Sequence, residues 1–483
     1  MATVAGHEGA VRGPARRARG ARVGRIDFGE LVDATGARHV QGDPGTALVG
    51  GSTDSRTLKP GEVYLALRGP NFDGNRFAAA ALAGGARALF LAEGELPAGI
   101  PAGVPVAMHA DPRRALGDLA SWYRSTLELA VVGVTGSCGK TTTKNILAQL
   151  LATRLATVAS PSSFNNDIGV PHTLLLADEA TRVVVAEMGT NHPGEIAALA
   201  RIARPDAGVI TTIGASHLEG LGSLEGVARE TGALAEALPR DGFCVLNAGS
   251  RFYGELAART QARVISFSVE GSGELDARAL FFHSGGTTFR LAGHELTSPL
   301  LGTHNVENLL AALAVARGLG LELEELLPAV SLLRGTNGRM ERHELAGVTL
   351  FDDSYNANPT SLRAAVRVLS GLHGYRRRVL VLGDMLELGE LSAELHHEIG
   401  REAARAGVDA LVLVGTYARA AASGALEGGL AASALAHYDT TEEAARGAQE
   451  FVRDGDVVLV KGSRGMALER VVGALRAQRG AAR

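Results

Sequence analysis

A chain of 483 residues is too long for one hydrophobic core, so we expect about three domains. Its formal net charge of −4 gives no excess of basic residues that would indicate a nucleic acid or an anionic membrane as a partner. Two cysteines exclude a disulfide scaffold and favour a reducing compartment, and no apolar run approaches the roughly 20 residues that a membrane-spanning helix requires.

The first part of the chain predicts a tail and a small domain. Residues 1–23 are rich in arginine, glycine and alanine, so we expect a disordered extension, with an anion-binding tail as the alternative. From 24 to 128, short apolar strands alternate with helical stretches, which predicts a small α/β domain. Its polar turns at 52–56 and 68–75 can be explained by side chain to backbone hydrogen bonds without any ligand.

A phosphate-binding loop is predicted next. The apolar strand at 129–134 leads into a small-residue loop and then into a helix with apolar residues at helical spacing. Glycines allow the backbone to wrap around an anion, the helix N-terminus and the Lys140 ammonium favour negative charge, and the Thr141 hydroxyl can bind magnesium. The predicted loop consists of Gly136, Ser137, Cys138, Gly139, Lys140, Thr141 and Thr142. Val134 stands where the usual pattern has its first glycine, so the loop is a variant, and a glycine-rich turn without a ligand is the alternative.

Two further polar residues follow strands of the region 129–338, which we predict to be a central P-loop mononucleotide-binding domain with a parallel-type sheet. These residues are Glu187 and His217. Ligands bind beyond the carboxyl ends of parallel strands, so we expect Lys140, Glu187 and His217 to converge on one crevice. A carboxylate and a neutral imidazole can both bind hydrated magnesium, although imidazole is the less usual ligand. A capping role for Glu187 and an ordinary surface position for His217 are the alternatives.

Asparagines mark two other segments of this region. Asn165 and Asn166 lie in a polar loop that ends in glycine, where their amides can bind a ligand or satisfy the local backbone. Asn305 lies in the segment 302–308 before an apolar helix. Helix capping would account for Asn305, but the paired donor and acceptor of its amide also suit a nucleobase edge.

From 339 to 483 the chain again alternates strands with helices, which predicts a third, Rossmann-like domain. Its first turn lacks the Gly-x-Gly-x-x-Gly pattern, so dinucleotide binding is disfavoured. Polar segments follow three of its strands, at 352–359, 383–389 and 461–465, where α/β domains usually carry their chemistry. The sequence therefore predicts an α/β protein with three domains.

The order of these motifs resembles that of the Mur ligases, the ATP-dependent amide-forming enzymes of peptidoglycan synthesis. Three stretches resemble the member that acts last in the cytoplasm: Ser-Phe-Asn-Asn at 163–166, Asp-Ser-Tyr-Asn-Ala-Asn-Pro at 353–359 and Leu-Gly-Asp-Met-Leu-Glu-Leu-Gly at 382–389. The resemblance implies that ATP phosphorylates the terminal carboxylate of a UDP-N-acetylmuramoyl tripeptide, and that D-alanyl-D-alanine then attacks the acyl phosphate. We expect a monomeric cytoplasmic enzyme that uses ATP and Mg²⁺, without a nucleic-acid partner or membrane insertion.

The resemblance also implies a role for individual residues. Ser55 and Arg56 would bind the UDP moiety. Asn165 and Asn166 would face the muramoyl peptide. Those that would bind the adenine, phosphate or ribose are Asn305, Arg339 and Asp353. Those that would lie near the dipeptide are Asn356, Asn358 and Lys461. The implied catalytic residues are Lys140, His217 and Asp353, and the implied magnesium ligands are Thr141, Glu187 and His217.

One position departs from the family pattern. The family has a carbamylated lysine that helps to hold a second magnesium where this chain has Thr231, and threonine cannot be carbamylated. Either Glu230 supplies the missing negative charge, or the second metal is held more weakly or differently. Two other functions also stay open. One is a sister ligase, of the third-residue-adding or folate polyglutamyl type, and the other is a divergent nucleotide-binding homologue without ligase activity.

Overall fold

The computed structural model describes residues 26–69, 71–283 and 285–480, so the predicted extension at 1–23 lies outside the described residues. The chain forms two compact units. The first holds the described chain up to Gly133 together with Arg154–Met188 and Ala197–Asp206, and the second holds Val134–Thr153, Gly189–Ile196 and the described chain from Ala207. Among these residues, no helix is both long and apolar enough to cross a membrane.

The N-terminal region is the small α/β fold that the sequence predicts. Its strands are β1 (Ile26–Asp27), β2 (Arg38–Gln41), β3 (Ala47–Leu48), β4 (Gly51–Ser52), β5 (Val63–Leu65), β6 (Arg68–Gly69), β7 (Phe72–Asp73), β8 (Ala88–Ala92) and β9 (Val106–His109), and its helices are α1 (Phe28–Thr35), α2 (Ala78–Ala83) and α3 (Pro112–Thr126). The main sheet has the order β2-β9-β8-β5-β4, in which only the β2–β9 pair is antiparallel. Phe28, Phe90 and Leu116 pack in its core.

The central region contains the largest sheet. Its strands are β10 (Ala130–Thr135), β11 (Thr157–Ala159), β12 (Val183–Glu187), β13 (Ala207–Ile210), β14 (Phe243–Asn247), β15 (Arg263–Val269), β16 (Leu275–His283), β17 (Gly286–Leu291) and β18 (His294–Ser298). Its helices are α4 (Lys140–Leu151), α5 (Gly169–Leu175), α6 (Glu195–Ala203), α7 (Leu218–Leu221), α8 (Leu224–Glu236), α9 (Tyr253–Ala258), α10 (Thr303–Gly318) and α11 (Leu323–Val330). The order of the nine strands is β11-β12-β10-β13-β14-β15-β16-β17-β18.

The last three strands of this sheet differ from the predicted parallel pattern. β16, β17 and β18 pair antiparallel in succession, without intervening helices. The β17–β18 turn contains Ala292 and Gly293 at φ values of 49° and 84°, and such positive values fit the tight turns that join twisted antiparallel strands. The strand-then-helix pattern upstream gave no sign of this extension, because a short turn replaces the crossover helix.

Helix α10 corrects one detail of the sequence analysis. The helix begins at Thr303, so Asn305 and Asn308 lie inside its first turns and not in a loop before it. Both side chains are buried, as is nearly every apolar residue of the helix. A helix that is apolar all round belongs in a core, so these two amides must find partners within the protein.

The C-terminal region has the predicted Rossmann-like form. Its strands are β19 (Glu341–Leu345), β20 (Val348–Asp353), β21 (Arg377–Gly383), β22 (Ala410–Val414), β23 (Leu435–Tyr438) and β24 (Asp456–Lys461), and its helices are α12 (Pro359–Gly371), α13 (Ser392–Arg405), α14 (Ala418–Glu427), α15 (Thr441–Phe451) and α16 (Glu469–Arg479). The order is β19-β20-β24-β21-β22-β23, with parallel pairing except between β19 and β20. Apolar clusters cover both faces of this sheet.

Candidate active site

The phosphate loop joins β10 to α4, and two of its glycines are required by the backbone. Gly136 has φ = 130°, and a Cβ there would lie 2.3 Å from Thr211 Oγ1. Gly139 has φ = 87°, and a Cβ there would lie 2.3 Å from Asn308 Oδ1. A side chain at either position would be strained by the positive φ and would clash with a neighbouring atom. The loop is as tightly constrained as the motif predicts.

Hydrogen bonds hold the middle of the loop. The Ser137 amide donates to Thr212 O (2.7 Å), and the Ser137 hydroxyl exchanges hydrogen bonds with the carbonyl and amide of Gly214 (both 2.9 Å). The Cys138 thiol donates to Asn358 Oδ1 (3.3 Å). These contacts fix the loop between the strand ends and the start of α12.

Three cationic side chains lie around this loop. Lys140 Nζ donates to Gly136 O (2.6 Å), so the side chain lies along the loop, and Arg339 Nη2 donates to Thr141 Oγ1 (3.0 Å). Burial raises the pKa of the Cys138 thiol, whereas the positive charges of Lys140, Lys461 and Arg339 act in the opposite direction. Positive charge beside a helix N-terminus and a glycine-rich loop is a site for phosphate groups.

His217 stands at the start of α7 with a left-handed backbone, at φ = 52°. Its Nδ1 lies 2.5 Å from Glu387 Oε2. Burial and the nearby Lys140 ammonium lower the pKa of His217, although the Glu387 carboxylate opposes them. A lowered pKa favours the neutral imidazole near pH 7, which is the form that binds a metal.

Glu187 belongs to the first compact unit, where it ends β12 and is buried. Asn165 Nδ2 donates to Glu187 Oε1 (3.0 Å), so the structure brings these two predicted residues together. Asn166 Oδ1 instead accepts from the amides of Ile168 (3.2 Å) and Gly169 (2.9 Å) at the start of α5. The convergence of Glu187 with Lys140 and His217 stays a prediction.

Ser55 and Arg56 lie in the N-terminal region, on the turn after β4. The Arg56 guanidinium binds the carboxylate of Asp54 through two nitrogens at 2.7–3.2 Å, and this pairing lowers the pKa of Asp54 to about 2. The Arg56 side chain remains exposed, whereas Ser55 is half-buried. The predicted contacts with UDP stay a prediction.

A buried ion pair joins two strand ends of the C-terminal sheet. Asp353 ends β20 and Lys461 ends β24, and the two residues are direct neighbours across this parallel pair. Lys461 Nζ donates to Asp353 Oδ2 (2.6 Å) and to Asn356 O (3.0 Å), while Asp353 Oδ1 accepts from the Met340 amide (3.2 Å). The structure therefore brings together the polar residues that the sequence put at these strand ends.

Other predicted residues of this region support the loops around the ion pair. Asn358 Oδ1 accepts from the Ser361 amide (2.8 Å) and so caps α12. Asn356 Oδ1 accepts from the amides of Ala357 (2.9 Å) and Arg464 (3.3 Å). These amide oxygens have structural partners, and their predicted contact with the dipeptide stays untested.

Aromatic stacking orients Arg339 on a partner ring that the sequence did not identify. The Arg339 guanidinium lies 4.4 Å from the centre of the Tyr355 ring, and Arg464 approaches the same ring at 5.5 Å. Tyr355 lies within the predicted polar segment 352–359, which was the only signal. The stacking fixes Arg339 in the position from which it reaches Thr141.

Asn305 takes part in a chain of buried hydrogen bonds that supports the phosphate loop. Its Nδ2 donates to Leu301 O (2.8 Å), and its Oδ1 accepts from Asn308 Nδ2 (3.2 Å). Asn308 Oδ1 in turn accepts from the Thr143 hydroxyl of α4 (3.1 Å). Asn308 is a supporting residue that the sequence analysis missed, and the role of Asn305 at a nucleobase stays a prediction.

Thr231, which stands where the family resemblance implies a lysine, carries no charge. Thr231 is 1% exposed, and its hydroxyl donates to Val227 O (2.8 Å) within α8. The Glu230 carboxylate accepts from the amides of Gly194 and Ile196 (both 2.7 Å), around the start of α6. Glu230 therefore already accepts hydrogen bonds from two backbone amides. Whether it also supplies the missing negative charge, or the second metal is held more weakly or differently, stays a prediction.

The fold and the site together define a class of protein. A parallel sheet with a phosphate loop, followed by a Rossmann-like domain whose strand ends carry a buried ion pair, is the architecture of a nucleotide-dependent P-loop enzyme. Models of three domains match the chain: the Mur ligase family catalytic domain at 50–124, the Mur ligase middle domain at 134–316 and the Mur ligase, glutamate ligase domain at 338–464. The chain belongs to the Mur ligase family.

Similar proteins span nearly the whole chain. The UDP-N-acetylmuramoyl-tripeptide–D-alanyl-D-alanine ligase of Escherichia coli K12 is 38% identical over 88% of this chain and 93% of its own length, and that of Bacillus subtilis 168 is 35% identical over the same shares. A crystal structure of MurF from Acinetobacter baumannii aligns with a TM-score of 0.85 at 32% identity, over 94% of this chain and 99% of its own. Thermotoga maritima MurF in complex with ADP aligns at 0.76 and 26% identity, over 89% and 97%.

The alternative ligases are more distant. A UDP-N-acetylmuramoyl-L-alanyl-D-glutamate–2,6-diaminopimelate ligase has a TM-score of 0.52 at 20% identity, and a folylpolyglutamate synthase from Mycobacterium tuberculosis has 0.59 at 18%. These likenesses show the fold alone. The chain is an ATP-dependent amide ligase that uses Mg²⁺, and the sister-ligase and non-ligase alternatives are not favoured.

Proposed function

We propose that this chain joins D-alanyl-D-alanine to a UDP-N-acetylmuramoyl tripeptide through an acyl phosphate. The observation that carries the proposal is the phosphate loop with Lys140 and Arg339 beside it, in a chain that is 38% identical to a ligase named for this reaction. An oxygen of the tripeptide carboxylate attacks the γ-phosphorus of ATP, and the bond to the bridging oxygen breaks to release ADP. The amine then attacks the carbonyl carbon, inorganic phosphate leaves, and the nitrogen loses a proton to water.

The cationic residues suit the charge that develops in both steps. Lys140 and Arg339 provide fixed positive charge beside the loop, where the transferred phosphoryl group gains negative charge. Tyr355 and the buried Asp353–Lys461 pair hold the neighbouring segments in place, so little reorganisation is needed during the reaction.

Magnesium would be held by Thr141, Glu187 and His217. This donor set of a hydroxyl, a buried carboxylate and an imidazole with a lowered pKa fits a divalent cation. When it is bound, the metal neutralises charge on the nucleotide phosphates.

Substrate contacts are proposed from the family resemblance. Ser55 and Arg56 would bind the UDP moiety in a domain at 24–128, and the exposed Arg56 guanidinium suits an anionic diphosphate. Asn165 and Asn166 would face the muramoyl peptide in a domain at 129–338. The residues assigned to the dipeptide, in a domain at 339–483, are Asn356, Asn358 and Lys461.

The test is a ligation assay with three substrate pairs, each with ATP and Mg²⁺. The pairs are UDP-muramoyl tripeptide with D-alanyl-D-alanine, UDP-muramoyl dipeptide with a diamino acid, and a folate with glutamate. We expect the first pair alone to give an amide product with one ADP and one phosphate per bond. Product from another pair, or no product from a folded protein that binds ATP, would overturn the proposal.

A monomeric state and a cytoplasmic location are part of the same proposal. A UDP-linked precursor and ATP are cytoplasmic metabolites, and the free thiols of Cys138 and Cys244 suit a reducing compartment. Sedimentation equilibrium at micromolar concentration tests the first point, with a mass near 49.9 kDa expected. A mass of about twice that value would contradict it.

A further inference from the structure

Glu387 contacts His217 from a different part of the chain. The two residues lie in the segments that match the glutamate ligase and middle domains, respectively, and both belong to the second compact unit. Glu387 Oε2 lies 2.5 Å from His217 Nδ1, and the Glu219 amide donates to Glu387 O (3.5 Å). The segment 217–219 is therefore bonded to both the side chain and the backbone of one glutamate.

The loop that carries Glu387 is held firmly by its own domain. The Met385 amide donates to His396 Nε2 (2.8 Å), and the Leu386 amide donates to Ser463 Oγ (2.9 Å). These bonds fix the backbone immediately before Glu387, so the carboxylate is presented from a defined position. The Glu387 side chain is itself 55% exposed, and the fixed backbone lowers the entropy that it loses on making the contact.

Both partners adopt an unusual backbone conformation. His217 has φ = 52° and Glu387 has φ = 62°, although neither is glycine. Left-handed residues of this kind cost free energy and persist where the surrounding structure fixes them, often at functional sites. Here the two left-handed residues meet through their side chains.

We propose that Glu387 is a positioning residue that orients His217 toward magnesium. The proposal rests on the proposed function, which assigns His217 to the metal. A carboxylate at Nδ1 selects the tautomer with the proton on that nitrogen, which leaves Nε2 for the metal. Nε2 forms no hydrogen bond with another residue of the described chain.

The position of Glu387 couples two parts of the enzyme. The ligand is in the middle-domain segment, but the group that orients it is in the glutamate ligase segment. Metal affinity would then depend on the contact between the loop at 384–389 and the segment 217–219. By thermodynamic linkage, the metal must strengthen that contact by the same factor by which the contact strengthens metal binding.

Mn²⁺ binding in the presence of saturating ADP, followed by electron paramagnetic resonance, tests the proposal without any turnover. Residues that orient a metal ligand typically contribute 10- to 100-fold to metal affinity. We expect Glu387→Ala to weaken Mn²⁺ binding by about 10- to 100-fold. Glu387→Gln keeps an oxygen that can accept from Nδ1 and should stay within about threefold of the wild type.

Two variants complete the design. Glu390→Ala removes the same charge from an exposed position three residues along the chain and should bind Mn²⁺ as the wild type does. His217→Ala should lose at least as much affinity as Glu387→Ala. ADP affinity measured with EDTA and the melting temperature should be unchanged in Glu387→Ala, which separates a positioning role from a loss of structure.

Several results would overturn the inference. Wild-type Mn²⁺ affinity in Glu387→Ala or His217→Ala would do so, as would an equal loss in Glu390→Ala. A loss of ADP affinity without metal would point to general disruption. Failure of the proposed function is a separate outcome, because a different amine substrate would abolish dipeptide ligation while leaving Mn²⁺ and ADP binding as predicted.

Discussion

The family resemblance assigns both the phosphate loop and the middle of helix α8 to magnesium and phosphate chemistry, but the two regions are built differently. In the loop, Gly136 and Gly139 have positive φ values that favour glycine, and the Lys140 side chain donates to Gly136 O, four residues earlier. In α8, the role of Glu230 depends on amides from about 35 residues earlier in the chain. A motif can therefore predict the loop, whereas the function of α8 follows from tertiary contacts.

The largest expected effect is on the loop. Lys140→Ala removes the ammonium that lies along the phosphate site, so we expect kcat to fall by about 10²- to 10³-fold. Coupled measurement of ADP release under saturating substrates provides the value. Arg201→Ala removes an exposed positive charge from α6 and serves as the control, with unchanged kcat. Similar rates in all three proteins would contradict the assignment of Lys140.

A second change tests the shape of the loop. Gly139→Ala introduces a Cβ that would lie 2.3 Å from Asn308 Oδ1 at a φ of 87°, so the loop must shift. We expect ADP affinity to fall by about 10- to 100-fold, equivalent to about 1.4–2.8 kcal/mol. Titration calorimetry checks this. Gly473→Ala in α16 has no atom within 4 Å of the new Cβ and should leave ADP affinity unchanged. Wild-type affinity in Gly139→Ala would show that the loop tolerates a side chain.

The next prediction concerns Glu230. Glu230→Gln replaces an acceptor oxygen with an NH₂ group that faces backbone amides, so we expect unfolding free energy to fall by about 1–3 kcal/mol. Urea unfolding provides the value. Glu225→Gln on the same helix changes an exposed pair with Arg251 and should leave the free energy of unfolding unchanged.

The same two variants decide whether Glu230 is a metal ligand. If it caps backbone amides, Mn²⁺ affinity in the presence of ADP should stay within about twofold of the wild type, a change of about 0.4 kcal/mol. A tenfold or greater loss of Mn²⁺ affinity in Glu230→Gln, without a loss in Glu225→Gln, would support the alternative in which Glu230 supplies the negative charge of the carbamate.

The smallest effect is expected at Thr231. Thr231→Val keeps the shape of the side chain and removes a hydroxyl whose bond to Val227 O lies within the helix. We expect a change in unfolding free energy of about 1 kcal/mol or less and unchanged kcat. A large fall in kcat would mean that the hydroxyl has a chemical role and that the two regions differ less than the contacts indicate.

Particular residues explain how far the sequence could predict this molecule. The three-domain α/β class, the phosphate loop and the polar strand ends at Asp353 and Lys461 follow from local pattern, because the order of residues marks where a strand ends and where a positive φ requires glycine. The antiparallel pair β17–β18 escaped prediction, since a turn of two residues replaced the expected helix. The partners of Glu387 and Asn308 lie far away along the chain, so no spacing rule could identify them.

The transfer of oxygen from substrate to phosphate distinguishes an acyl phosphate intermediate from other routes to the amide. If the terminal carboxylate of the tripeptide is labelled with ¹⁸O at both oxygens, attack on the γ-phosphorus carries one labelled oxygen into the phosphate that is later released. We expect one ¹⁸O atom in each phosphate and one in each new amide carbonyl. Unlabelled phosphate, with both labelled oxygens accounted for elsewhere, would contradict an acyl phosphate intermediate.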